Sequence, residues 1–206
     1  MNFPDPSVPI ASCEASDCAG CSVAGSIHCH FGAGDLVHFY LICFPVFLVG
    51  GAGVALAGLA PLLIWIGILI SFFGFIEIRV MCSHCPHYAE EGSTLRCWAN
   101  YGSPKLWKYR PGPMSRTENV VFFAGLVAVF GYPISFFPVG GAWFLLTVYL
   151  LVTAGFALTL KKLLCSQCMN FACPLNGVAE PVRQLFWEQN PQVGKAWSVD
   201  SSSMRR

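Results

Sequence analysis

Charged and apolar residues are sorted into blocks along this chain. No Asp, Glu, Lys, Arg or His occurs from Phe39 to Ile76, and none from Asn119 to Leu160. Crossing the hydrocarbon core of a bilayer takes about 20 apolar residues, so each block holds two crossings. The pattern predicts helices over Leu36–Ala57 and Leu59–Val80, then over Val120–Pro138 and Ala142–Leu164. Gly- and Pro-containing turns, Ala57-Gly-Leu-Ala-Pro61 and Pro138-Val-Gly-Gly-Ala142, join each pair. Ser115-Arg-Thr-Glu118 has the form of a capping box at the start of the third helix. In the tail, Glu180-Pro181 opens a short segment that puts Val182, Leu185 and Phe186 on one helical face, and Asn190-Pro191 closes it. The residues after Lys195 read as disordered.

Composition agrees with this pattern: 11% charged and 55% hydrophobic, against about 25% charged in soluble domains. All twelve Lys and Arg fall in Arg79–Arg116, at Lys161–Lys162 or in Arg183–Arg206, and the two hairpin turns have none. The excess of Lys and Arg on one side marks the cytoplasmic face, which predicts a protein of the cytoplasmic (inner) membrane with both termini in the cytoplasm. The first 35 residues carry no Lys or Arg, which predicts no cleavable signal peptide. A net charge of +1 excludes nucleic acid as the expected partner. Spans without charged residues also argue against an ion or proton pathway, since such pathways need buried ionisable groups.

The chain carries an internal repeat. Cys82-Ser-His-Cys85-Pro-His-Tyr-Ala89 lies over Cys165-Ser-Gln-Cys168-Met-Asn-Phe-Ala172, with the same residue at four of the eight positions. A third cysteine follows in each copy, in Cys97-Trp-Ala-Asn100 and Cys173-Pro-Leu-Asn176, and Arg79 corresponds to Lys162. Each half is helix, turn, helix, then C-x-x-C…C-x-x-N. Two crossings per half keep both copies in the same orientation, as in the parallel repeats of some transporters. The fold expected is therefore an all-α integral membrane protein, four transmembrane helices in two parallel helix-hairpin repeats with Cys-rich cytoplasmic segments. Its parts are a Cys-rich N-terminal segment (1–35), hairpin 1 (36–80), a Cys-rich loop (81–118), hairpin 2 (119–164) and a Cys-rich tail (165–206).

Of eleven cysteines, only Cys43 falls within a span. The others form three groups: Cys82, Cys85 and Cys97; Cys165, Cys168 and Cys173; and Cys13, Cys18, Cys21 and Cys29. Cytoplasmic thiols are kept reduced, which disfavours a structural disulfide network. A C-x-x-C pair lets two thiolates converge from a single turn on a metal or cluster edge. Three chemistries follow. Iron–sulfur clusters suit the number of thiolates and the Cys85-Pro86 and Cys173-Pro174 pairs. Zinc held by Cys82, Cys85, Cys165 and Cys168 would be a structural staple in a membrane scaffold or assembly factor. A thiol–disulfide redox centre is the third, since C-x-x-C lowers thiol pKa. Each repeat brings three cysteines where a closed cubane takes four; either the N-terminal group, with His28 or His30 in reserve, supplies the remainder, or a site stays open and could bind a substrate.

Cys168-Met-Asn-Phe-Ala-Cys173-Pro-Leu-Asn-Gly177 resembles the C-x3-C-P-L-G motif of membrane-bound polyferredoxins of the quinol-dehydrogenase type, with four intervening residues in place of three. The resemblance covers about ten residues and the placement of cysteine motifs at the cytoplasmic ends of transmembrane helices. It implies electron transfer between quinone and a cytosolic redox protein or another membrane subunit.

Other polar residues carry simpler expectations. Glu77 is expected to pair with Lys161 or Arg79, although it stands where a proton relay to a quinone would. His38 is expected to pair with Asp35; a bis-His haem would need a second His within the spans, and there is none. His84 and His87 are candidate ligands, with capping or solvent-facing roles favoured. Trp98, Tyr101, Trp107 and Tyr109, interleaved with Lys105, Lys108 and Arg110, read as an interfacial anchor or a lining for a quinone head-group.

Overall fold

The computed structural model describes residues 19–90, 92–191, 193–195 and 197. The described residues are helical, without β-strands; a single antiparallel bridge joins Thr94 and Pro104. Four helical stretches are long and apolar enough to cross a membrane: Ala33–Ala55, Leu59–His84, Arg116–Val139 and Trp143–Gln167. Most of their side chains face outward. Leu41, Phe44, Leu63, Phe144 and Leu151 are all exposed, giving the bundle a surface suited to lipid.

The first stretch is α1 (Ala33–Ala55). The second is built from α2 (Leu59–Ser71), a π turn over Phe72–Ile76, α3 (Glu77–Val80) and a 3-10 turn over Cys82–His84. The third runs through α4 (Arg116–Gly131), a 3-10 turn over Tyr132–Ser135 and α5 (Phe136–Val139). The fourth joins α6 (Trp143–Thr159) to a π turn over Leu160–Leu164 and a 3-10 turn over Cys165–Gln167. The amphipathic tail helix is α7 (Glu180–Gln189), with Pro181 in its first turn and Phe186 buried. Trp197 stacks on Trp187 with centroids 5.6 Å apart; the other residues after Lys195, read from the sequence as disordered, lie outside the described residues.

Inside the bundle, glycines act as sockets for aromatic rings. A Cβ placed on Gly53 would lie 2.2 Å from the ring of Phe137, and one on Gly125 would lie 2.0 Å from Phe72. Between apolar helices in lipid, association depends on such close packing and on interhelical hydrogen bonds. Pro133 lacks the N–H that would have reached the Val129 carbonyl. The indole Nε1 of Trp65 donates to that carbonyl instead at 2.9 Å, and the Tyr149 hydroxyl donates to the next one, of Phe130, at 2.9 Å. Leucine at Gly125 should therefore destabilise the bundle by about 1–3 kcal/mol, the usual range for overpacking a filled core. Unfolding in mixed detergent micelles would register this as an earlier transition.

A second core lies at the end of the bundle where the cysteine segments emerge. It packs Val23 and Ile27 from the N-terminal segment, Tyr88, Leu95 and Tyr109 from the loop, and Met169, Phe171 and Phe186 from the tail. Backbone bonds tie the three together: His28 N–H donates to the Gln167 carbonyl at 2.9 Å, and the Asn170 side chain donates to the Met81 carbonyl at 3.3 Å.

Candidate functional site

The two C-x-x-C turns are built alike. Cys82 and Cys165 each open a 3-10 turn, and Cys85 and Cys168 each follow in extended conformation. Behind each, a serine hydroxyl donates to the carbonyl four residues earlier: Ser83 to Arg79 at 2.7 Å, Ser166 to Lys162 at 2.8 Å. Cys97 sits on a finger held by Leu95 N–H to the Ser103 carbonyl at 2.8 Å and Gly102 N–H to the Leu95 carbonyl at 2.9 Å. Gly102 closes this finger at φ +84, a left-handed conformation that costs glycine little. Cys173 follows a turn held by Asn176, whose side chain donates to the carbonyls of Cys168 and Asn170 at 2.6 and 3.1 Å.

These elements bring the six cysteines of the two motifs into one electrostatically linked group, the cysteine chamber, in which Cys82 and Cys85 are buried and Cys97, Cys165, Cys168 and Cys173 half-buried. Cys82 interacts electrostatically with Cys85, Cys97, Cys173 and Glu77. Cys85 and Cys97 interact with Cys168, and Cys173 with Cys165 and Cys168. The main electrostatic neighbours of Cys85, Cys97 and Cys173 are thus other thiols and the carboxyls of Glu77 and Glu90. Burial, reinforced by these neighbours, pushes the Cys85 thiol up. Burial raises Cys168 to about 11, and Cys97 and Cys173 to about 12. Without a compensating cation these groups hold their protons, because a cluster of bare thiolates in a desolvated site repels itself.

Backbone amides nevertheless lie beside the sulfurs. The N–H two residues on acts against the effect of burial at four positions: His87 at Cys85, Asn170 at Cys168, Ala99 at Cys97 and Leu175 at Cys173. Asn100 N–H adds a second bond to Cys97 at 3.3 Å, and its side chain reaches Cys82 at 3.6 Å. Neutral thiols are weak acceptors, whereas hydrogen bonds to an ionised acceptor are about twice as strong as neutral ones. These donors would therefore favour an ionised sulfur over a neutral thiol.

Among the described residues, no three His, Cys, Asp or Glu side chains stand close enough to hold a single metal ion. Cys82, Cys85, Cys165 and Cys168 are thus not gathered as the ligands of one zinc. Cys21 and Cys29 pack at the edge of the second core, while Cys13 and Cys18 lie outside the described residues. Cys21, Cys43, Cys82, Cys85, Cys97, Cys165, Cys168 and Cys173 are free thiols.

Several expected pairings are replaced by others. Glu77 is bound by the Asn100 side chain. Arg79 instead lies 3.6 Å from Glu118, and Lys161 donates to the Leu175 carbonyl at 3.1 Å. Asp35 accepts from Gly32 N–H at 2.8 Å as part of the α1 cap and lies 3.7 Å from His28, so its neighbour is His28 and not His38. His84 and His87 are buried, which removes the solvent-facing reading for both. Arg110 closes one wall by bonding Glu118, His84 and the Arg79 carbonyl. The expected anchor residues fold back onto this end: Trp98 stacks on His28 at 4.4 Å, Trp107 lies under Arg79, and Tyr109 is buried within electrostatic reach of Cys85.

The sequence reading missed Asn100 as a sulfur and carboxyl partner and Arg110 as the wall. The C-x-x-N spacing shared by Asn100 and Asn176 was the only available signal for the first. No family model, curated protein or solved structure matches this chain.

Proposed function

We propose that the chain is a membrane-bound iron–sulfur protein that carries electrons between a cytosolic redox protein and a membrane partner such as quinone. The observation that carries this reading is the group of six neighbouring cysteines, Cys82 and Cys85 buried and the other four half-buried, with a backbone amide beside four of the sulfurs. Cys82, Cys85, Cys97, Cys165, Cys168 and Cys173 would hold the metal centre, with Cys13, Cys18, Cys21 and Cys29 completing it. An iron–sulfur cluster supplies one-electron storage, at a potential set by hydrogen bonds to sulfur, net charge and exposure. The protein's own part is to bind, shield and tune: amides and Asn100 lower the cost of negative charge, and the second core excludes water.

The repeat is supported by the matching serine bonds at Arg79 and Lys162 and by the matching amide–sulfur bonds. A cytoplasmic placement of the chamber is supported by the distribution of Lys and Arg. Iron and acid-labile sulfide in anaerobically purified protein test the reading. Dithionite should then give a reduced species that a soluble quinone analogue reoxidises, followed by EPR and visible absorbance. Colourless protein with stoichiometric zinc would instead establish the scaffold reading.

Protonation gives the chamber a defined pH response. Ligand thiols must release their protons to bind metal, and burial holds protons on Cys85, Cys97, Cys168 and Cys173. Cadmium uptake by metal-free protein should strengthen as pH rises from 6 to 9, at roughly tenfold per pH unit for each proton released. Isothermal titration at several pH values would measure this slope.

A further inference from the structure

The return arm of the finger that carries Cys97 leaves an apolar pair uncovered. Leu106 is 50% exposed and Trp107 38% exposed, and Lys108 beside them is exposed as well. Contacts with two spans fix the level of this patch. Arg79, near the end of the second span, lies over the Trp107 ring at 5.9 Å. Arg110, three residues further on, bonds Glu118 in the first turn of α4. The patch is thereby held where two spans leave the bilayer, the depth at which tryptophan concentrates and basic side chains lay their stems along apolar surface. Its charges are unevenly matched. Glu118 takes up both Arg79 and Arg110. Lys108 and Arg116 are exposed and form no ion pair with any described residue.

We propose that this patch docks anionic phospholipid of the leaflet at the cysteine end. Leu106 and Trp107 enter the headgroup region, and Lys108 and Arg116 take the phosphate. The chemistry commits to lipid over a soluble anion, because the free cations stand beside uncovered apolar side chains from which a soluble phosphate gains nothing. Each basic group close to an anionic membrane surface strengthens binding by about fivefold. The docked lipid also braces the finger. Lys105, next to Leu106, donates its N–H to the Ser93 carbonyl at 2.8 Å, which ties the patch to the arm leading to Cys97. The proposal needs only the membrane spans and holds whether or not the cysteine group binds a metal.

The test is native mass spectrometry of the full-length protein titrated with phosphatidylglycerol and with phosphatidylcholine of the same chains. Phosphatidylglycerol should bind about 25-fold more tightly, fivefold for each of the two charges. Lys108→Gln and Arg116→Gln should each remove about fivefold of that preference, and Lys108→Arg should keep it. Both side chains are exposed, so these variants leave the packing of the bundle alone. In nanodiscs, lipid brominated near the headgroup should quench the part of the fluorescence that Trp107→Phe removes. Equal affinity for the two lipids overturns the proposal. A preference that survives both glutamine substitutions also overturns it and moves the selectivity to Lys161 and Lys162. Trp107 emission untouched by brominated lipid, or glycerol phosphate competing as well as phosphatidylglycerol, overturns it in favour of a water-facing anion site.

Discussion

Serine at both Cys82 and Cys85 should remove nearly all bound metal, and so should serine at Cys165 and Cys168. A hydroxyl stays protonated where a thiol ionises, and it is a poor ligand for a soft metal site. The size of the effect follows from how the halves meet. Cys85 interacts with Cys168, Cys97 with Cys168 and Cys82 with Cys173, so each motif faces the other across one chamber. Two independent centres would lose about half their metal on replacement of either pair; a shared centre loses it all both times. Cys43 provides the control. It is buried within α1, where its thiol lies 3.5 Å from the Tyr40 carbonyl, and serine there should leave iron and sulfide unchanged. Full metal occupancy with all four cysteines replaced would reject the ligand assignment and favour thiol–disulfide chemistry.

The membrane orientation should give an all-or-none result. Reporter fusions at Met1, Gly102 and Arg206 should all report cytoplasm, and a fusion at Gly140 the opposite side. Gly102 lies in the finger that carries Cys97, and Gly140 in the turn between the third and fourth spans. The Lys and Arg residues flank only the cysteine side, and such a one-sided distribution usually sets the direction of insertion. A signal from the opposite compartment at Gly102 would place the cysteines where disulfides persist, and the electron-transfer reading would fall with the topology.

The spans were legible in the sequence because lipid imposes a length and a composition that no other context imitates four times over. The Ser115–Glu118 cap was legible for a similar reason. Its bonds, Glu118 N–H to Ser115 Oγ at 3.3 Å and Ser115 N–H to Glu118 at 2.9 Å, join residues three apart. The tail helix at Glu180 was marked by its proline and its apolar face. What escaped the sequence joins residues far apart in the chain. Arg110 reaches back to His84 and Arg79, and Trp65 reaches Val129; neither link leaves a periodic trace. Distance along the chain points Asp35 to His38, but α1 begins at Ala33 and its cap turns that carboxylate toward His28. A buried carboxylate usually has a charged partner, but for Glu77 the Asn100 amide on the distant finger serves instead.

The π turns in the second and fourth spans have a consequence for the phase of these helices. Each widened turn accommodates about one extra residue, and one residue in an α-helix corresponds to about 100° of rotation. Everything beyond Ile76 is thus turned about the axis relative to an uninterrupted helix, and the same holds beyond Leu164. The lipid half of each span can follow one face while the cysteine end follows another. Ile70 and Phe75, exposed toward the bilayer, are followed within a few residues by Glu77, Ile78 and Val80, which are buried. Each widened turn is in effect a clutch between two requirements on a single rod. It lets the membrane set the register of the shaft while the chamber sets the register of its tip. An inserted residue of this kind would be a small genetic step for a plain helical hairpin to begin aiming its last turn inward.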